Sequence, residues 1–215
     1  FRNDPFLTFS SRFWLVAAMN RMSTCFDRVP PDEIKTLPSK WSISHLYLAH
    51  FAVTDISGKK FHFSEKFSRD GLGKAGADES QLRVWIDDWR AEAATDSTGS
   101  HTVVAHDETH SLALTLQPAK PLVTHGAAGI SRKGKDVSQA SHYYSFTRLA
   151  TTGSLTIDGE QFKVTGLTWM DHEFGSAELG TDQVGWDWFS IQLEDDTELM
   201  LYRMRRKDGS SDLAS

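Results

Sequence analysis

One cysteine, Cys25, stands in a chain of 215 residues, which excludes an intrachain disulfide and a zinc site built from several cysteines. No apolar run approaches the roughly 18–20 residues of a membrane helix. Basic charge is scarce as well. The 23 Lys and Arg against 29 Asp and Glu give a net charge of −6, which argues against a nucleic-acid surface, because phosphate binding needs clustered cations. The one basic run, Arg203 to Lys207, is interrupted by Met204 and reads as a solvated strand end. No Gly-x-Ser-x-Gly elbow, P-loop or His-Glu-x-x-His occurs. Gly71-Leu72-Gly73-Lys74-Ala75-Gly76 has the glycine spacing of a dinucleotide loop, but no strand–helix unit surrounds it. The nine histidines form no recognisable ligand motif, although His50 and His142 could meet across a barrel interior beside Asp171 or Glu173. Neither a metal nor a cofactor is expected. No signal peptide is legible in a chain that starts at Phe1, so the compartment stays open between periplasmic or secreted and cytoplasmic at a membrane.

Aromatics, in contrast, are abundant. Seven Trp and thirteen Phe cluster in strand-like segments, where they fill a β core or line an apolar cavity. Alternation of apolar and polar residues dominates over helical periodicity. In Ile43–Thr54, His50 shares one side with Leu46, Leu48 and Ala52, while Tyr47, Ala49, Phe51 and Val53 fall on the other. A Ser-Gly-Lys turn at 57–59 leads into Lys60–Phe67 as the returning arm of a hairpin. Further strands are expected at Leu82–Trp89, His101–His106, Ser111–Gln117, Ser141–Arg148, Gly153–Ile157, Gln161–Thr168, Gly185–Leu193 and Glu198–Arg205, with Asp158-Gly159 as one of the turns. Many modest strands joined by tight turns predict an all-β antiparallel sandwich or barrel. Arg12–Met22 reads as a short helix, Phe26–Lys40 as an irregular connection, Arg69–Ser80 as a mobile loop and Lys120–Gln139 as a lid over a barrel mouth.

The densest chemistry lies in Gly166–Ser176, where Asp171, His172 and Glu173 are consecutive and Trp169 and Phe174 stand close by. Two carboxylates beside an imidazole can hold and pass protons, and aromatic walls raise a carboxyl pKa by excluding water. Trp169 shares the strand face of Asp171 and can desolvate it, which makes Asp171 the preferred acid. The competing reading is a strand end and turn whose charges face solvent.

Several spaced segments together carry a resemblance. They are Tyr47–Asp55, Phe61–Phe67, Val84–Trp89, Ser141–Ser145, Trp169–Ser176 and Asp182–Phe189. In order and spacing they resemble the AttH-like branch of the carotenoid 1,2-hydratase (hydroxyneurosporene synthase) family, from about residue 41 to the end. The resemblance implies a lipocalin-like fold and two consecutive β domains in a longer chain. On that reading residues 1–40 are an irregular, partly helical lead-in, 41–207 are the first lipocalin-like domain without its usual opening strand, and 208–215 begin a linker to the second.

The family's hydratases add water to an isolated C=C bond of an isoprenoid without a cofactor, by protonation to a carbocation that water captures. That chemistry needs a shielded proton donor, aromatic faces and a positioned water. The resemblance implies Asp171 as the acid, His142 as proton relay or water orienter, and Tyr144 and Trp169 as cation-stabilising walls. Glu173 either activates water or pairs with Arg148 or Lys163, and His172, on the opposite face, is structural. Trp186 and Trp188 either touch substrate or pack in the core, and His50 lies in the cavity or the core. Trp169 and Glu173 stand where the carotenoid enzymes tend to have Tyr and an amide, which places the chain in the AttH-like branch. The expected partner is an apolar small molecule, a terpenoid, polyene or lipid; peripheral membrane association and a second lipocalin-like domain also follow, and nucleic acid does not. Two alternatives stay open: an acid-catalysed terpenoid cyclase or isomerase, and a non-catalytic carrier or filled structural domain.

Overall fold

The computed structural model describes residues 10–17, 21–29, 45–78, 80–95, 98–134, 136, 139–177 and 179–212. Its sixteen strands, in chain order, are β1 Ser10–Ala17, β2 Arg21–Val29, β3 Leu46–Asp55, β4 Lys60–Arg69, β5 Ala75–Ala77, β6 Arg83–Ile86, β7 Trp89–Ala93 and β8 His101–His106. They continue with β9 Ser111–Pro118, β10 Val123–Thr124, β11 Ile130–Arg132, β12 Ala140–Ile157, β13 Glu160–Ala177, β14 Gln183–Gln192, β15 Glu198–Arg206 and β16 Ser211–Asp212. The described residues contain no helix, every strand pair is antiparallel, and the fold is an all-β, lipocalin-like sandwich.

One large sheet runs β4-β3-β2-β1-β13-β12-β9-β8-β7-β6-β5, with β10 and β11 paired to β12. Its ends curl towards each other, so that β3 and β4 touch β6, but no backbone ladder joins β4 to β6 and the barrel is not closed. The inner face holds the core. Ala49, Phe51 and Val53 of β3 meet Ile86, Trp89, Val103, Leu112, Leu114, Leu116, Leu149 and Met170 there. Trp89 stands edge-on to Phe51, with centroids 6.0 Å apart, and its indole N–H donates to the His106 carbonyl at 2.6 Å. A second, smaller sheet, β14-β15-β16, lies over the outer face of the β12–β13 end: Trp188 bonds to Tyr143 and meets Trp169.

The hairpin β12–β13 organises both layers. Each arm is 18 residues long, and the register runs unbroken from Ile157↔Glu160 to Leu149↔Thr168. Asp158 and Gly159 close it with φ of 50° and 83°, the two left-handed positions that a tight hairpin turn requires. Between Leu149 and Phe146 the register shifts by one, so that Thr147 and Arg148 together face Trp169. Beyond this bulge the parity of β12 is reversed relative to β13.

Several sequence expectations change here. Of Arg12–Met22, expected as a helix, 12–17 and 21–22 are strand and 18–20 lie outside the described residues: β1 and β2 pair with one another, and β1 pairs with β13 from Ser10↔Gly175 to Ala17↔Thr168. The segment's Leu, Ala and Met content suggested a helix, but the unpaired side of β13 offers a ladder and tertiary pairing overrides propensity. Of the expected irregular stretch, Phe26–Val29 belongs to β2, and residues 30–44 lie outside the described residues. Leu82–Trp89 is divided by a turn at Asp87, whose φ is 52°, and 75–77 of the presumed loop is strand β5. Within Lys120–Gln139, expected as a lid over a barrel mouth, β10 and β11 hydrogen-bond along β12 as part of the large sheet. The hairpin β3–β4 forms as expected, with the Gly58 N–H donating to the Asp55 carboxylate at 2.8 Å.

Gly153 is a sensitive point of the hairpin. It has a φ of 154°, and a Cβ there would stand 2.1 Å from the Ala113 carbonyl oxygen of β9. The variant Gly153→Ala should therefore lose about 2 kcal/mol or more of stability, since the obstacle is backbone rather than a movable side chain. Urea denaturation of the purified variant checks this, and an unchanged midpoint would refute it.

Candidate active site

Pairing of Tyr143 with Glu173 and Ser145 with Asp171 sets four side chains on the outer face of the hairpin. Trp169 joins them on β13, two residues before Asp171. The β14–β15 sheet covers this face with Trp186, Trp188, Tyr202 and Met204. Asp171 is only 4% exposed. Its carboxyl accepts hydrogen bonds from the Ser145 hydroxyl, from the Trp169 indole N–H at 2.7 Å and from the Tyr143 hydroxyl. Every donor is neutral. Burial is the largest influence and pushes the Asp171 pKa up to about 6; the three hydrogen bonds oppose it and the nearby charge of Glu173 adds to it.

Each donor is itself held. His125, from the segment between β10 and β11, bonds to Ser145 Oγ through Nε2 at 2.7 Å and packs on the Tyr143 ring at 4.3 Å. Burial holds the His125 pKa below its ordinary value, with Lys133 adding to the effect. The Trp188 indole N–H donates to the Tyr143 hydroxyl at 3.1 Å, and burial raises the pKa of that phenol, so it stays protonated. Trp169 meets Trp188 edge-on at 6.1 Å. The result is a connected set of proton-bearing groups, His125–Ser145–Asp171–Tyr143, walled by two indoles.

Glu173 is arranged differently. It accepts from Ser141 Oγ at 2.5 Å and pairs with Lys133 Nζ at 2.6 Å, both partners being buried. The ammonium lies 5.0 Å from the centre of the Tyr143 ring and 4.5 Å from that of Tyr202. Beside this pair is a cavity of about 20 Å³ lined by Lys133, Tyr143, Glu173, Trp186, Trp188, Tyr202 and Met204. It can hold one water molecule, with polar partners in Tyr143, Lys133 and Glu173, and no prenyl chain.

The structure brings together Asp171, Trp169, Glu173, Trp186 and Trp188, and separates them from the other expected residues. His142 and Tyr144 are on the opposite, inner face. There the Tyr144 hydroxyl bonds to His172 Nδ1 at 2.7 Å and His142 stacks on Phe174 at 5.2 Å, so neither reaches Asp171. The reason is register: Tyr144 pairs with His172 rather than Asp171, and a shift of one residue exchanges the faces. Burial pulls the His172 pKa down to about 4, leaving it neutral. His50 is in neither cavity nor core. It lies three strands from Asp171 on the same sheet row, roughly 14 Å away at the spacing of strands, against Glu65 and Phe63. Neither Arg148 nor Lys163 is the partner of Glu173; Arg148 pairs with Glu198 at 2.5 Å. Sequence reasoning missed Tyr143, Ser145, Ser141, His125 and Lys133. Their only signal was alternation, which gives a face once the register is known. Elsewhere, among the described residues, only His62, Asp107 and His110 group as metal ligands could.

A lipocalin-like β protein with a buried, raised-pKa carboxyl under an aromatic layer is the class that fold and site define. The chain belongs to the AttH-like family, whose profile matches residues 22–215. It is similar to the crystal structure of an AttH protein from Nitrosomonas europaea, at 31% identity and a TM-score of 0.79. That match covers 98% of this chain and 64% of the other, so the chain spans less than two thirds of its relative's length. Kievitone hydratase from Nectria haematococca is similar in fold, at 13% identity and a TM-score of 0.55 over 95% of this chain and 63% of that one. Among curated proteins none matches.

Two predictions follow from the two carboxyls. Lys133→Met strands a buried Glu173 charge and should cost about 3–5 kcal/mol, whereas joining it to Glu173→Gln should restore much of the loss; a thermal-denaturation double-mutant cycle reads the coupling. Asp171 has a folded pKa above its unfolded one, so its contribution is fully present below about pH 4 and is lost as pH rises through about 6. At pH 7 the deficit is about 3 kcal/mol. Asp171→Asn should therefore stabilise the protein at pH 7 relative to pH 4, and denaturation midpoints that move in parallel for both proteins between these pH values would contradict it.

Proposed function

We propose that the site performs acid-catalysed hydration of an isolated C=C bond in an isoprenoid or similarly apolar substrate. One observation carries this reading: Asp171 is a dry carboxyl with a pKa of about 6, surrounded by neutral donors and indole walls. A group so tuned is half protonated at about pH 6 and still holds its proton in about one molecule in ten at pH 7, so it can give that proton up. The name of the similar fold, a hydratase, and membership of the AttH-like family support the reading.

Tyr143, rather than Asp171, lines the cavity, so Tyr143 gives its hydroxyl proton to one alkene carbon as the protonated Asp171 carboxyl, turned to donate to the Tyr143 oxygen, replaces that proton. The other carbon becomes cationic and faces the rings of Trp186, Trp188 and Tyr202. The cavity beside Glu173 and Lys133 is sized for the water that captures it. The oxonium so formed loses a proton to Glu173, which releases it to solvent, while the proton Asp171 gave up is restored from solvent through Ser145 and His125. Because that cavity holds one water and no prenyl chain, the alkene reaches Tyr143 only where the β14–β15 cover parts from the hairpin, and the apolar body of the substrate lies in that opening. The small cavity also favours a second reading, a filled structural layer without turnover.

Native mass spectrometry of the protein and of Asp171→Asn, each incubated with a panel of prenylated lipids, separates the two. Hydration predicts a ligand heavier by one water with the wild-type protein only, turnover lower by about 10²–10⁴ in the variant, and a rate that falls as pH rises through about 6. Absence of both turnover and bound ligand would leave the structural layer as the reading.

A further inference from the structure

His62 on β4 and the pair Asp107 and His110 in the β8–β9 turn meet at the open seam of the large sheet, far from Asp171 in the topology. Each offers one donor atom, and all of these lie within 4.8 Å of one another. We propose that His62, Asp107 and His110 bind a borderline transition-metal dication, with zinc as the type case, which clamps the edge strand β4 to the β8–β9 turn.

The donor set selects the ion. Two imidazole nitrogens and one carboxylate oxygen suit zinc, cobalt or nickel, whereas magnesium and calcium prefer oxygen alone. The carboxylate is prepared for it. Asp107 Oδ1 accepts from the backbone N–H groups of Thr109 and His110, both at 2.9 Å, which leaves Oδ2 facing His62 Nε2 at 2.5 Å and the Ser64 hydroxyl.

The imidazoles are prepared as well. His110 is 7% exposed, so its ring is held in one place by its surroundings. Its Nδ1 is engaged by Thr109 Oγ1 at 2.9 Å, which fixes the ring as a supporting hydrogen bond does in known metal sites and leaves Nε2 to ligate. The His62 and His110 rings stack in parallel at 3.7 Å, so they must splay slightly to converge on one ion. The ion would replace the hydrogen bond between His62 and Asp107.

The surroundings balance the charge and leave an approach. Asp158 stands 3.8 Å from His110 Nε2 and is itself paired with Lys60 at 2.9 Å. A groove of about 460 Å³ borders the cluster through Ser64 and Asp107 and leaves room for a water or small anion as fourth ligand. The clamp has an evident purpose, because β4 is the edge strand of the large sheet and no backbone ladder joins it to the β8–β9 turn.

The test is calorimetric titration of chelator-treated protein with zinc chloride, with cobalt chloride as an optical probe. The expected result is one zinc per chain, a higher melting temperature with zinc, and a visible cobalt band. His62→Gln and His110→Gln, each confirmed folded by circular dichroism, should weaken zinc at least tenfold and lose the melting shift. Glu65→Gln, in the adjoining groove, should bind as the parent does. Absence of saturable binding, or binding that His62→Gln leaves intact, would overturn the proposal in favour of a metal-free hydrogen-bonded latch.

Discussion

A single extra residue in β12 decides which side chains share a site. At Thr147 and Arg148, two residues oppose one, and the strand exchanges its faces. On the turn side of the bulge, Leu149 and Leu155 face the barrel core; on the other side that role passes to Tyr144 and Phe146, while Tyr143 and Ser145 turn outwards to Asp171. The partner strand has no such break between Thr168 and Phe174, so Met170 and His172 point inwards and Trp169, Asp171 and Glu173 point outwards. The bulge also fastens the covering layer. Arg148 reaches Glu198 at 2.5 Å, the Leu193 carbonyl at 2.9 Å and Asp196 at 3.0 Å, all at the β14–β15 turn. The same irregularity that aims Tyr143 and Ser145 at the acid therefore holds down the sheet that dries it.

Alternation made the strand content and the antiparallel class legible, because a period of two survives in almost every arm from β3 onwards. The tight turns at Asp158-Gly159 and Gly58-Lys59 were readable for a local reason, since few residues tolerate positive φ. The 10–29 segment was not readable. Whether Phe13, Trp14 and Val16 form a helix or a strand depends on the unpaired side of β13, which lies about 155 residues further along the chain.

The site divides in the same way. Asp171, Trp169 and Glu173 could be grouped from β13 alone, since they alternate along one strand. Which residues of β12 join them depends on register, and the odd-numbered Tyr143 and Ser145 take the place that His142 and Tyr144 were expected to fill. Lys133 could not have been found by pattern. It comes from a segment that pairs along β12 only after the hairpin exists, and its charge is silent until Glu173 is buried beside it.

The distribution of cations around the two carboxyls then explains why they differ. Asp171 and Glu173 sit two residues apart on one face under the same cover, and both are nearly free of solvent. The buried cation near them, Lys133, bonds to Glu173 and Ser131 and leaves Asp171 to the neutral hydroxyls and indole. A buried carboxyl with a cation keeps its charge, and one without is driven towards the acid form, the more so with a neighbouring anion. Lys133 beside Glu173 thus gives two chemically similar and nearly buried groups on one strand face different partners. The arrangement also keeps Asp171 from stabilising the fold at neutral pH, which is what the proton donor proposed above requires.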